Sequence, residues 1–582
     1  MTASIVPGPA LQLQPSAPAD PARCRTPTAY DGRARPTMTP GSGCLARRLP
    51  ILDAPATPTA YRETLLGRFM MLHGIRRAGT VASCLALALA GCGGAAELAR
   101  TTGTTTTHQP TSTTQTTTAP PSSSSTSPTT ITPSADVVVP SAAELKAGRS
   151  TPVEDPYYPD TSNPELDTLH YFLDLGWDGD TLTGAATITF RATTATDTIR
   201  LGMSQALTAS QVRLDGRQID YAQADDGIEL VTPGLAPGRT HTLTITYAGT
   251  PESTPAPSRR GDQTEGIGWN TDDEGNVYTF QEPFGAFTWY PVNDHPSDRA
   301  LYDARIRTEG DDVGVFNGEF GGTSDEGSTS VTRWHVDEPV ASYLTTIAIG
   351  PYTRHTGTTE SGLEISYWVM PRDEDLVAGL KNEGSTAFGW LEEHAGDYPF
   401  STLGVVVVGG SSAMETQTMV TMSRGAVERA DAVLLHEFAH QWYGDSVAPV
   451  DWRGMWLNEG FAMYFQQWYE KDLGRPVYAG GVERWRSYDN QSRLLSGPPG
   501  DYDPSSFGDI NVYLGPAMML EEIRKQIGDD EFEALVKAWA TEHANESVDR
   551  ATFTQWVNDE TGRDFRPLID RWLDSPQTPR PS

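Results

Sequence analysis

The feature that most constrains this chain is His436-Glu437-Phe438-Ala439-His440, followed after a gap of eighteen residues by Glu459. Side chains four apart lie on one face of an α-helix, so the two imidazoles ask for a helix here. A carboxylate that joins them from beyond the gap comes from a second helix packed on the first. Two histidines and one carboxylate make a three-ligand zinc set. Its fourth position stays open, which distinguishes a catalytic zinc site from a structural one. Glu437, between the histidines, stands where a general base for water activated by zinc is needed.

Composition bears on this in three ways. At 582 residues the chain has room for two to four domains, and 14 Trp with 21 Tyr argue for packed cores. A net charge of −33 makes nucleic acid a poor partner. The four cysteines, Cys24, Cys44, Cys84 and Cys92, all precede residue 93. A metal held further along is therefore held by His and carboxylate.

The N-terminal part reads as address rather than fold. Residues 1–69 are rich in Pro, Ala and Arg without periodicity, and are expected to be an untranslated or disordered extension, with translation starting at Met70 or Met71. In residues 70–92, a basic start with Arg76-Arg77 precedes an apolar core that ends in Leu89-Ala90-Gly91-Cys92. This resembles a bacterial lipoprotein signal with its lipobox. The resemblance implies lipidation at Cys92 and an extracytoplasmic protein anchored to the bacterial cell membrane. The apolar core is too short for a permanent span. Residues 93–154, with their Thr/Ser/Pro tract, are expected to form a disordered stalk.

The body divides by period. Residues 155–358 carry short alternating runs such as His170-Tyr171-Phe172-Leu173-Asp174-Leu175 and Thr242-Leu243-Thr244-Ile245-Thr246-Tyr247, punctuated by Gly, Asp and Pro. They predict an all-β, sandwich-like domain. Residues 359–577 predict a mainly helical domain with a buried strand at 405–408. A helix over 427–443 carries the histidines, with Gly444 as its C-cap. Asn458 is expected to cap a helix starting at Glu459. Further helices are expected at 516–527, 530–543, 551–560 and 566–573, before a tail at 578–582. The fold class is multidomain α+β.

The spacing of the histidines from Glu459, and the context Trp456-Leu457-Asn458-Glu459-Gly460-Phe461-Ala462, resemble the aminopeptidase N family of zinc metallopeptidases. These are of the gluzincin type and related to leukotriene hydrolase; thermolysin itself has a gap one residue longer. The resemblance covers residues from about 155 to 575 and implies a thermolysin-like catalytic domain behind the β-domain. It implies one zinc ion per chain, held by His436, His440 and Glu459, with Glu437 as general base. Ser412-Ala413-Met414-Glu415-Thr416 resembles the family's Gly-x-Met-Glu-Asn, with Ser and Thr as departures. That match implies that Ala413 and Met414 contact substrate and that Glu415 binds its α-ammonium group. Tyr513-Leu514-Gly515-Pro516-Ala517 resembles a family segment whose Tyr stabilises the oxyanion, with Pro516 in place of Gly. Phe280-Gln281-Glu282-Pro283 resembles an N-domain segment, in which Gln281 would help bind substrate.

The activity so implied is hydrolysis of the N-terminal residue from peptides with a free N-terminus. The resemblance is to a short form, expected to be without the long C-terminal helical domain that larger members of the family carry. Two alternatives stay open. One is a zinc endopeptidase in which Glu415 anchors no amine, and the other is a non-catalytic surface-binding relative.

Overall fold

The computed structural model describes residues 140–580, except 262, 429–430 and 476–481. The expected extension, the signal with Cys92 and the stalk up to residue 139 lie outside the described residues.

The first domain is built on an eight-stranded sheet. Its strands run, edge to edge, Glu319–Glu326, Thr329–Val340, Ala300–Glu309, Leu166–Trp177, Leu182–Ala192, Thr240–Gly249, Leu207–Leu214 and Arg217–Gln218. In Thr240–Gly249 the side chains of His241, Leu243, Ile245 and Tyr247 turn inward and alternate with more exposed threonines. That is the period-2 pattern of a half-buried strand. A three-stranded sheet (Thr196–Gly202, Gly227–Leu235, Tyr221–Ala224) and a four-stranded one (Val313–Phe316, Ile347–Gly350, Val277–Phe280, Gly268–Thr271) complete the domain. Leu230, Ile245 and Val277, one from each sheet, join a single buried cluster. The core is thus shared by three sheets. Val277–Phe280 is wholly buried and runs directly into Gln281 and the cis Glu282–Pro283 bond.

The second domain opens with a five-stranded sheet ordered Thr353–Thr358, Glu364–Val369, Leu403–Val408, Val420–Ser423 and Ala413–Met414. Leu403–Val408 is parallel to both neighbours and fully buried, as the valine run at 405–408 predicts. The helices, in chain order, are α1 (Glu144–Ala147), α2 (Val377–Ala395), α3 (Arg424–Glu428), α4 (Asp431–His440), α5 (Met455–Asp472), α6 (Val482–Ser496), α7 (Asn511–Ile527), α8 (Asp529–Glu542), α9 (Arg550–Thr561) and α10 (Arg566–Asp574). Among the described residues no helix is long and apolar enough to cross a membrane.

Helices α5 and α7 approach closely at Gly460. A Cβ there would lie 2.4 Å from the Cβ of Pro516, so only glycine lets the two backbones come this near. The four C-terminal helices match the expected ones, except that α7 begins at Asn511 and Pro516 lies inside it.

Several expectations are corrected. Residues 140–154 do not belong to a stalk but pack on the β-domain. Gly148 sits where a Cβ would be 2.4 Å from the Leu169 carbonyl oxygen, and the Ser150 amide and hydroxyl both donate to Asp167 at 3.0 Å. Once the Thr/Ser/Pro tract ends, a glycine allows close approach and a serine answers a buried carboxylate. Strand Thr353–Thr358 pairs with Glu364–Val369, so by sheet membership it belongs to the second domain rather than the first.

The α-helix carrying the histidines ends at His440 rather than at 443. Beyond it, Asp445 N–H bonds to His440 O at 3.0 Å and Val447 N–H to Trp442 O at 3.2 Å, five residues back, so the chain continues in wider turns. Gly444, at φ +134°, is not a left-handed cap there. Asn458 is not an N-cap either. Helix α5 starts at Met455, and Asn458 is buried inside it with its amide donating to the Tyr343 hydroxyl at 3.3 Å.

Two contacts tie the domains together near the site. Buried Asp155 accepts from the Trp452 amide at 2.9 Å and faces His295 Nε2 at 3.4 Å, which makes His295 a structural residue. Arg299 donates to Ser446 O at 3.1 Å and to Pro339 O at 2.8 Å.

Candidate active site

Helix α4 presents His436, Glu437 and His440, and α5 presents Glu459. The Nε2 atoms of the two histidines lie 3.2 Å apart, and Glu459 Oε2 is 3.1 Å from one and 3.4 Å from the other. Ligands about 2.1 Å from a tetrahedral zinc ion would stand about 3.4 Å apart, so this triangle fits zinc. His440 Nδ1 faces the Tyr443 carbonyl at 3.2 Å, which holds the ring with Nε2 toward the triangle. Glu459 is drawn well below the usual carboxylate range. Burial alone would raise it, but its bonds to His436 and His440 outweigh that cost.

Glu437 and Glu415 form a second constellation with His440. Burial pushes Glu437 well above the carboxylate range, and the charges of Glu415 and Glu459 add to this while His440 opposes it. Glu415 follows the edge strand Ala413–Met414. Gln441, the residue after His440, positions it: its amide donates to Glu415 O at 2.9 Å and to Asp445 at 2.7 Å. Burial raises the Glu415 carboxyl too. Met414 is buried at 4% exposure and packs into the hydrophobic cluster that also holds Val277 and Phe280. Ala413 is half-buried beside it.

Tyr513, in the first turn of α7, stacks on His436 with ring centres 6.1 Å apart, and its hydroxyl faces Glu459. The structure therefore brings His436, Glu437, His440, Glu459, Glu415 and Tyr513 together.

It does not bring Gln281 into the site. The Gln281 amide is fully engaged elsewhere, donating to Ser342 O at 2.8 Å and Thr345 O at 2.6 Å and accepting from the Trp289 indole at 3.0 Å. It organises the β-domain turn. Its neighbour Glu282 faces the pocket instead. Glu282 is buried, and its carboxyl is pushed well above the ordinary range by burial and then by the charges of Glu415 and Glu459. Glu282 and Glu415 each keep one buried carboxylate oxygen with no hydrogen-bond partner among the described residues. Arg260, from a β-domain loop, donates to the Tyr513 hydroxyl at 2.7 Å. The sequence carries one weak signal for Glu282, a charge beside proline in an apolar run, and none for Arg260.

These features define a buried metal centre of two histidines and one glutamate with the geometry of a zinc site. The chain belongs to the peptidase M1 family. Residues 386–572 match the peptidase family M1 domain and residues 167–344 the peptidase M1 N-terminal domain. It is similar to aminopeptidase 2 of Candida albicans, 24% identical over 69% of this chain and 46% of that protein. It is equally similar to aminopeptidase N of Streptomyces lividans, 24% identical over 64% of this chain and 45% of that protein. The chain thus spans less than half the length of these relatives.

Solved structures match at full length. An M1 zinc metallopeptidase from Deinococcus radiodurans is 25% identical with a TM-score of 0.66, covering 74% of this chain and 99% of its own. A two-domain M1 zinc metallopeptidase bound to L-tryptophan is 26% identical with a TM-score of 0.66, covering 74% of this chain and 100% of its own.

Proposed function

We propose that the protein is a zinc-dependent aminopeptidase acting on peptides with a free N-terminus. One observation carries this reading: Glu282 and Glu415 each bury a carboxylate oxygen that has no hydrogen-bond partner among the described residues, beside the metal ligands. Buried carboxylates without donors are costly. A substrate α-ammonium group brings three donors and the missing positive charge. Held there, it leaves only the first peptide bond within reach of the metal ligands.

When bound, zinc supplies Lewis acidity for the scissile carbonyl and makes water a nucleophile near neutral pH. Glu437 accepts the proton of the attacking water and delivers it to the leaving amine. Its raised affinity for a proton suits a group that must hold one between two steps. Tyr513 donates a hydrogen bond from its hydroxyl to the carbonyl oxygen as negative charge develops there. The backbone of the edge strand Ala413–Met414 offers an extended peptide a pairing partner. The L-tryptophan bound by the two-domain relative is a free amino acid, the kind of product such a reaction releases.

The test is chelator-sensitive hydrolysis of a panel of aminoacyl fluorophores by wild type, Glu437→Gln, Glu415→Ala and Glu282→Ala. If both Ala variants keep full activity on free-amine substrates, the exopeptidase reading fails. Equal rates on N-terminally blocked peptides would indicate an endopeptidase instead.

The address of the protein belongs to the same proposal. Arg76-Arg77, the apolar core and Leu89-Ala90-Gly91-Cys92 support an extracytoplasmic enzyme anchored through lipid on Cys92. Cys92→Ser is expected to move the protein from the membrane to the soluble fraction.

A further inference from the structure

Arg260 and Tyr513 are 253 residues apart, yet Arg260 Nη1 donates to Tyr513 Oη at 2.7 Å and the guanidinium carbon lies 5.9 Å from the ring centre. A phenol has one proton to give and two lone pairs to receive; a guanidinium only gives. The bond therefore fills one lone pair of Tyr513 and forbids its proton from turning toward Arg260. The proton must point elsewhere, and the ring lies against the metal pocket, stacked on His436 at 6.1 Å. A hydroxyl that accepts from a cation is also polarised into a better donor.

The loop that carries Arg260 is fastened to the segment leading into α7. Phe507 N–H donates to Pro257 O at 3.0 Å, and the Ser258 hydroxyl donates to Phe507 O at 2.9 Å. The Arg260 amide donates to Ser258 Oγ at 3.1 Å, which fixes where its side chain starts. Room for the guanidinium comes from Gly508, where a Cβ would lie 3.1 Å from Arg260 Nη1. The loop and the helix are thus held as one unit across the domain boundary.

We propose that Arg260 is a positioning residue for Tyr513, fixing the phenol as an acceptor on one side so that its proton is presented to the substrate carbonyl oxygen. The β-domain thereby contributes to the chemical step as well as to amine binding. The inference rests on the role of Tyr513 given above, and its test separates the two.

The experiment measures kcat and KM for the full chain loaded with zinc, as wild type, Arg260→Met, Arg260→Lys, Tyr513→Phe and the double variant Arg260→Met/Tyr513→Phe. Tyr513→Phe is expected to lower kcat about 100-fold. Arg260→Met is expected to lower kcat about tenfold with KM changed less than about twofold, and Arg260→Lys to recover part of that loss. In the Tyr513→Phe background, Arg260→Met is expected to change kcat less than about twofold, because the group it positions is gone.

An equal loss in both backgrounds, or an effect on KM alone, overturns the positioning role and leaves that of Tyr513 standing. A Tyr513→Phe variant with wild-type kcat overturns both. Should Arg260→Met not fold, as judged by zinc content and thermal unfolding, Arg260→Lys alone and with Tyr513→Phe makes the same comparison.

Discussion

His436, His440 and Glu459 come from two packed helices of one domain, whereas Glu282 and Glu415 come from a turn of the β-domain and an edge strand of its neighbour. The metal ligands satisfy one another: Glu459 lies against both histidines and is held low by them. Glu282 and Glu415 each keep one carboxylate oxygen with no hydrogen-bond partner among the described residues, and both are raised by burial. One half of the pocket is thus matched within the chain, while the other holds buried carboxylate oxygens that suit the ammonium group proposed above. The first half depends on helix geometry and the second on how two domains meet.

Separating the halves by mutation gives the largest expected effect. Glu437→Gln keeps all three metal ligands and removes the proton acceptor. Turnover should fall about 10²- to 10⁴-fold while zinc content, read by atomic spectroscopy, stays at one per chain. Loss of zinc from this variant would show that Glu437 helps to hold the metal and is not solely a proton acceptor. On the amine side, Glu282→Gln and Glu415→Gln should each lower kcat/KM for free-amine substrates about 10- to 100-fold. The same variants relieve like-charge repulsion in a buried space, so their thermal midpoints should rise. Gln281→Leu should do the reverse. It strands the Ser342 and Thr345 carbonyls and the Trp289 indole, costing about 1–3 kcal/mol of stability, and leaves the preference for free amines intact. A Gln281→Leu variant with normal stability and lost amine preference would return that role to Gln281.

The two halves also differ in how far the sequence reveals them. The metal half is written in local spacing: four residues set one helical face, and the context of Glu459 announces a second helix. Its details were less legible. Asn458 has the composition of a cap, but lies inside α5 because the turn Trp452–Gly454 and its Asp451 cap start the helix earlier. On the amine side, Gln281 and Glu282 are adjacent, and the strand before them is buried on both faces, so no alternation tells which side chain meets the pocket. Arg260 reaches Tyr513 through a loop clamped to Phe507, a contact that local pattern cannot encode. The segment 140–154 fails for a similar reason. Its fit to the β-domain depends on Gly148 meeting Leu169 and on Ser150 meeting Asp167, not on any period of its own.

The metal half has one mechanical weak point. Gly460 directly follows Glu459 and lies against Pro516, where an added Cβ would stand 2.4 Å from proline carbon. Proline is a rigid neighbour, so Gly460→Ala must push α7 away from α5. Stability should drop about 1–3 kcal/mol, seen as a lowered midpoint in denaturant. Zinc affinity should fall with it, because Glu459 adjoins the strained contact on α5, and Tyr513 moves with the displaced α7. An unchanged midpoint would mean that the helices have slack at this contact.

A buried carboxylate far from the pocket provides the last and smallest contrast. Asp303 in the β-domain is matched within the chain, by His170 at 2.8 Å and His335 at 2.9 Å. Burial works to raise Asp303, but the bonds from the two histidines outweigh it and leave the carboxyl below its ordinary range. Its contribution is present above the unfolded carboxylate pKa and is lost as pH falls through the lowered one. His335 is raised, chiefly by its bond to Asp303 and against its burial. Its contribution is complete below the unfolded imidazole pKa and is lost as pH rises through the raised one. The pair therefore stabilises most between those limits. His335→Gln should lower the thermal midpoint at mildly acidic pH and converge with wild type as pH rises past the imidazole range. With the His335 side chain 46% exposed, the difference should stay below about 1 kcal/mol. A gap between the two curves that widens with rising pH would mean that His335 stabilises in its neutral form, as a hydrogen-bond partner of Asp303 rather than as its countercharge.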